Sequence, residues 1–221
     1  MQPYDACRLM ALNLYSFVKN PFTKDAEFDS DKFYRITYEA MRLSDDLIDL
    51  ELEHIDRILE KISDDSQSSA IKYTERKLWL NIRETAESSR RTGLGFTALG
   101  DTIAALGYAY DSDEALLFVE QMMHIKMEAE LDCTIDLAIL RGPFKGWDPK
   151  VENTYSERGG LPSCGENSFY QFIWDNFFDQ AKRMEQYGRR NVSWNTVAPT
   201  GTVSLLTQTT SGIEPIFSLH P

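Results

Sequence analysis

Apolar positions in this chain recur mostly at intervals of three and four, and only a few short runs are apolar throughout. Phe33, Ile36, Ala40, Leu43 and Leu47 predict a long amphipathic helix with those side chains on its buried face. Asp29-Ser30 supplies capping chemistry for its start, and the acidic crowding over 49–53 predicts an end or a bend there. The polar stretch 63–69 reads as a linker to a second helix over 70–88, anchored by Leu78, Trp79 and Ile82. Thr97 is expected to cap a short helix ending near Gly107, with Gly93-Leu-Gly95 as punctuation before it. After Asp111-Ser112-Asp113, the residues Leu116, Val119, Met123, Met127 and Leu131 predict another buried stripe, reaching about Leu140. Phe169, Phe172, Ile173, Phe177 and Met184 do the same for a helix over 168–187, which Gly188 stops.

Two runs have strand length instead. One covers 10–18 and ends at Asn20-Pro21; the other covers 192–198 and ends at Pro199. Residues 141–167, rich in Gly, Pro, Asn and Ser, read as a surface excursion. No internal repeat or heptad array is visible. Strands alternating with helices predict an α/β fold.

Composition narrows the function classes. A chain of 221 residues with 42% apolar content can bury a real core. No apolar run approaches the ~20 residues of a membrane helix, and the start, with Asp5, lacks a secretory signal. Cys7, Cys133 and Cys164 are too few and too scattered for a disulfide framework and fit a reducing, cytoplasmic compartment. The net charge of −12, from 35 acidic against 23 basic residues, disfavours a nucleic-acid partner.

The segment with the most chemistry lies near the end. The apolar run 192–198 breaks at Pro199-Thr200-Gly201-Thr202 and resumes as helix-compatible Val203-Ser204-Leu205-Leu206. A strand feeding a Gly-containing turn and a helix start can receive phosphate, because free N–H groups converge there and the helix dipole favours an anion. Gly201 would let the backbone approach, and Thr200, Thr202 and Ser204 could add hydroxyl hydrogen bonds. The same letters also describe an ordinary loop.

Other candidates carry less. His54, His124 and His220 lack ligand companions, so no metal site is expected. Asp45, Asp46, Asp49, Glu51 and Glu53 read as a solvated helix face rather than catalytic carboxylates. Gly93-Leu-Gly95 lacks the third glycine of a dinucleotide fingerprint. Met122, Met123 and Met127 read as core fillers, Cys133 as core, Cys164 as an exposed loop thiol, and Cys7 on its own as a small strand-edge hydrophobe.

Ala198-Pro-Thr-Gly-Thr-Val-Ser204 followed by Thr210-Ser-Gly-Ile-Glu-Pro215 resembles the large catalytic subunit of ribonucleotide reductases. Pro3-Tyr-Asp-Ala-Cys-Arg-Leu-Met-Ala-Leu-Asn-Leu14, Leu43-Ser-Asp-Asp-Leu-Ile-Asp-Leu50 and Arg90-Arg-Thr-Gly-Leu-Gly95 follow in the family's order. Arg8-Leu-Met-Ala-Leu-Asn-Leu14 and Pro199-Thr-Gly-Thr202 look most like the adenosylcobalamin-dependent class, whose relatives elsewhere use iron or manganese radical partners.

The resemblance implies that residues 1–221 form part of a ten-stranded α/β barrel, incomplete at both ends. The family's Asn–x–Cys–x–Glu finger loop, bearing the thiyl radical and general base, would precede Met1, so the isolated chain is expected to be inactive. It further implies that Cys7 is one of two reducing cysteines, its partner lying upstream. Pro199, Thr200, Gly201, Thr202, Val203 and Ser204 would hold the substrate phosphates, with Glu214 shaping the site rather than acting as base. In that chemistry a thiyl radical abstracts the 3′ hydrogen of a ribonucleoside di- or triphosphate, the 2′ hydroxyl leaves as water, and a cysteine pair reduces the sugar. Implied partners are the complementary upstream part of the barrel and a dithiol reductant such as thioredoxin, with adenosylcobalamin as cofactor of the complete enzyme. The rival reading is a non-catalytic module that completes a split barrel.

Overall fold

The computed structural model describes residues 3–148 and 169–216. The chain divides into two compact units. The first comprises Met1–Arg8, Arg42–Thr92 and Leu131–Ser193, the second Leu9–Met41, Gly93–Glu130 and Trp194–Pro221.

Helix α1 (Ser30–Asp64) starts where expected, with the Asp29 carboxylate accepting from the Lys32 N–H at 3.1 Å. It runs through 49–53 without the predicted bend, because the acidic residues there are paired with cations. Glu51 binds Arg8, Asp49 binds Arg90 at 2.8 Å, and Glu53 binds Arg57 at 3.6 Å. Its buried face also differs from the expected one. Phe33 and Ala40 are buried, but Ile36, Leu43 and Leu47 are exposed, and the stripe runs instead through Thr37, Met41, Ser44, Asp45, Ile48, Ile55, Leu59 and Ile62. Hydrophobicity alone could not select that register, since an arginine cluster draws Asp45 inside.

In the first unit, α2 (Ser69–Ser89) is capped by Ser68, whose hydroxyl accepts from the Ile71 N–H. Its expected anchors do not hold. Leu78 is exposed and Trp79 and Ile82 are half-buried, leaving Ala86 and Ser89 as its buried contacts. The expected helix over 168–187 is two helices, α5 (Phe169–Asn176) and α6 (Phe178–Tyr187), separated at Phe177. Ile173, Phe177, Ala181 and Met184 pack inward, whereas Phe172 is exposed. Gly188, at φ 77°, ends α6 as predicted, and a side chain there would strike Pro143 at 2.8 Å. Of the excursion proposed over 141–167, Arg141 closes α4 and 149–167, with Cys164, lies outside the described residues.

In the second unit the apolar run 10–18 is a strand, β1 (Arg8–Asn13), then a 3-10 turn (Leu14–Phe17). Strand β2 (Val18–Lys19) follows and pairs antiparallel with β3 (Glu27–Phe28), Val18 opposite Phe28. Phe17, Phe28, Phe33 and Phe118 stack edge to face, with ring centroids 5.1–5.2 Å apart in three of the pairs. Gly93-Leu-Gly95 is not punctuation. It lies inside β4 (Thr92–Thr97), which pairs with β1 and is buried along its whole length. Helix α3 (Leu99–Ala105) is entered through Ala98 at φ 69°, so Thr97 is not its cap.

Helix α4 (Asp113–Arg141) begins in the second unit and continues in the first. Its buried side chains are Ala115, Met122, Lys126, Met127, Ala129, Glu130, Leu131, Cys133, Thr134, Ile135, Leu137 and Ala138. Leu116 is exposed, and Val119 and Met123 are half-buried. The predicted strand over 192–198 is an extended segment with a single parallel bridge, Leu94 to Asn195. Among the described residues the structure is thus helix-rich with two small sheets and no closed barrel.

Candidate active site

The turn after residue 198 is held by hydroxyl groups. Thr200 sits in the left-handed region at φ 54° and precedes α7 (Gly201–Thr207). Its hydroxyl donates to Thr97 Oγ1 at 3.1 Å and accepts from the Gly212 N–H at 2.7 Å. Thr97 in turn donates to the Thr210 carbonyl at 2.9 Å. Ser204, buried, shares a 2.6 Å hydrogen bond with Ser211 and lies 2.8 Å from the Gly201 carbonyl. Asp101 completes the knot by accepting from the Thr210 N–H at 2.7 Å.

The Thr200 and Ser204 hydroxyls are therefore spent inside the protein, not held open for a ligand. What faces outward is backbone. Gly201, Thr202 and Val203 are exposed and carry the first-turn N–H groups that no helical carbonyl can satisfy. A Cβ added at Gly201 would meet nothing within 4 Å. Ala98, Thr200, Gln208 and Gly212 all adopt positive φ around this turn. A non-glycine residue in that region costs about 1–3 kcal/mol, which the surrounding hydrogen bonds offset. Glycine is required next to it, because a Cβ at Gly100 would lie 2.9 Å from the Glu214 carbonyl oxygen and 3.2 Å from the Thr210 side chain. Gly100→Ala is expected to lower stability by about 1–3 kcal/mol through overpacking, read as a lower urea midpoint. An unchanged midpoint would mean that the 210–214 segment moves aside at no cost. Glu214 itself is exposed, its N–H bonded to the Ser211 carbonyl at 2.8 Å.

Cys7 belongs to the first unit and is a free, half-buried thiol. Burial pushes its pKa up, opposed by the nearby Arg91 and Arg8 charges and reinforced by Asp5. Asp5 is fixed by Arg91 at 2.6 Å, and Arg91 also reaches Ser193 at 2.8 Å. A thiol held protonated in this way can deliver hydrogen together with its electron. Cys133 is buried in α4.

Two charged clusters escaped the sequence reading. Asp45, expected on a solvated face, is fully buried. It accepts from Arg90 at 2.7 Å, Arg190 at 3.3 Å and Asn191 at 3.0 Å. Burial alone would raise its pKa, but hydrogen bonding and charge from Arg90, with Arg190 and Asn191, hold it below the usual carboxylate range. Asp46 pairs with Arg141 at 2.7 Å in the same cluster. In the second unit, Lys126 and Glu130 are ion-paired one turn apart on α4, and burial pushes Glu130 up to about 7 despite the lysine. Their only signal was a Lys–Glu spacing of four inside an apolar stretch, a pattern usually found on exposed helix faces.

Among the described residues no group of three His, Cys, Asp or Glu side chains converges as a metal site. No helix is long and apolar enough to cross a membrane. The model of the ribonucleotide reductase barrel domain matches residues 2–220.

The chain belongs to the ribonucleotide reductase barrel-domain family.

Its relatives within the family include the vitamin B12-dependent ribonucleoside-diphosphate reductase of Mycobacterium tuberculosis, 27% identical over 98% of this chain and 23% of the relative. The enzyme of the same name from Thermoplasma acidophilum is 25% identical over 98% of this chain and 21% of its own length. The vitamin B12-dependent ribonucleotide reductase of Streptomyces coelicolor is 24% identical over 97% of this chain and 21% of its own. The chain thus spans under a quarter of the length of these relatives.

Proposed function

We propose that this chain supplies part of the active site of a ribonucleotide reductase, which converts ribonucleotides to 2′-deoxyribonucleotides as part of a ten-stranded α/β barrel. The observation that carries the reading is the turn at 199–204, where buried hydroxyls brace the loop from behind and leave the first-turn N–H groups of α7 exposed. In the turn Pro199 to Ser204, the backbone N–H groups of Gly201, Thr202 and Val203 hold the phosphates of a ribonucleoside di- or triphosphate, while Pro199, Thr200 and Ser204 shape the loop behind them. Cys7 is one of two reducing thiols. Two thiols become one disulfide, giving two electrons and two protons, and the 2′ hydroxyl departs as water. A thioredoxin-type dithiol then restores the pair.

The relatives' names carry vitamin B12, and adenosylcobalamin supplies radical initiation when bound to the complete enzyme. The clefts described, of ≈ 280, ≈ 370 and ≈ 450 Å³, are lined largely by charged and polar side chains and do not suit a corrin.

Gly201→Val tests the phosphate site. The new side chain enters open space, so the fold is expected to survive while the approach of an anion is blocked. Nucleotide affinity of the complete protein should fall roughly ten- to a hundredfold, the loss of one or more hydrogen bonds to a charged group. Equal affinity in variant and wild type, by calorimetry, would place the phosphates elsewhere.

A second reading, an assembly module that completes the barrel, is favoured by α7, where Leu205 and Leu206 are 79% and 85% exposed. Both roles are compatible in one chain.

A further inference from the structure

Lys126 has no solvent exposure and donates to three acceptors on three elements. These are the Leu94 carbonyl of β4 at 2.8 Å, Asn195 Oδ1 at 3.0 Å, and Glu130 Oε1 on its own helix. An ammonium has three protons, so its donors are all used. The contact falls where the sheet is thinnest. The segment leading to the turn carries one bridge to β4, built from Leu94 N–H to the Trp194 carbonyl at 2.5 Å and a long 3.4 Å return from Thr196 N–H. The same Leu94 oxygen that receives the weak return bond receives the ammonium. At this point the backbones also approach closely, since a Cβ at Gly95 would lie 3.0 Å from the Thr196 oxygen.

We infer that Lys126 is a positioning residue that takes the place of missing strand-ladder hydrogen bonds, fixing Asn195 on β4 and thereby the height of the 199–204 turn. Asn195 precedes Pro199 by only four residues, and the far side of the turn is tied to the end of β4 through Thr97 and Thr200. The extended segment is thus held to β4 by the Thr92 N–H on the Ser193 carbonyl at 3.0 Å, by the ammonium at Leu94, and by hydroxyls at Thr97. Glu130 is the acidic partner of the buried lysine on its own helix. Among the described residues its Oε2 has no hydrogen-bond partner, so it serves the lysine through one oxygen. The functional consequence rests on the phosphate reading above, but the latch itself does not.

The test uses the complete protein with Lys126→Met and the double variant Lys126→Met/Glu130→Leu. The single variant strands a buried carboxylate and can fail to fold, whereas removing both charges together is often tolerated. In the double variant, hydrogen exchange over 192–204 should quicken about tenfold while α3 keeps its protection. KM for the ribonucleotide should rise about tenfold with kcat nearly unchanged, because loosened binding, not lost protein, is the expected defect. Wild-type exchange over 192–204 in the double variant would overturn the latch. Faster exchange with unchanged KM would overturn the positioning role if Gly201→Val raises KM in the same assay. If Gly201→Val also leaves KM unchanged, the phosphate reading fails, and the exchange data still decide the latch.

Discussion

Asp45→Ala is expected to lose about 3–5 kcal/mol of stability, because it leaves buried cations without their counter-charge. Arg90 and Arg190 both donate to this carboxylate, and Asn191 loses its acceptor as well. Arg90 has Asp49 as a second partner, but Asp49 is half-exposed and cannot replace a fully buried carboxylate. The pH dependence follows from the depressed pKa. Asp45 contributes fully above the unfolded carboxylate value of about 3.9, and its contribution is lost as pH falls through the lower folded value. Urea unfolding as a function of pH should therefore show a flatter acid limb in Asp45→Ala than in wild type. A loss under about 1 kcal/mol would mean that the arginines are solvated after all.

Cys7→Ser in the complete protein should block repeated turnover while leaving nucleotide affinity near that of wild type. The serine hydroxyl fills nearly the same space but cannot form a disulfide, so the two-electron donor is lost. The structure makes this substitution clean, since Cys7 has no disulfide and is only half-buried. Burial pushes its pKa above the ordinary thiol value, against the pull of Arg91 and Arg8. Steady-state deoxyribonucleotide formation, with a dithiol in excess, is the measurement. Near-normal turnover would return Cys7 to the role of a packing residue.

Helix existence was legible in the sequence far more than helix orientation. The starts of α1 and α4 and the end of α6 follow from Asp29, Asp111-Ser112-Asp113 and Gly188, whose chemistry is local. The faces were missed where charge competes with hydrophobicity. Asp45 turns inward to meet Arg90 and Arg190, and Lys126 turns inward to meet Leu94 and Asn195, while Ile36, Leu43 and Leu116 stay outside. Such pairings join residues distant in sequence, and no periodicity reports them. The strand over 192–198 is reduced to one bridge, beside which Lys126 donates to the same Leu94 oxygen that takes the weak return bond, a contact no local pattern reports. The turn itself was visible as Pro199-Thr-Gly-Thr202, but not its strain. The left-handed residue is Thr200, and Gly201 serves by leaving open space.

The central claim is tested most directly by deoxyribonucleotide formation. The complete protein is supplied with ribonucleoside di- or triphosphates, adenosylcobalamin and a dithiol, and the 2′-deoxyribonucleotide is quantified. The expected result is product that requires the cobalamin, falls sharply in Gly201→Val at sub-saturating nucleotide, and fails to accumulate over repeated turnovers in Cys7→Ser. Product forming at wild-type rate in both variants, or no product under any of these conditions, would contradict the account.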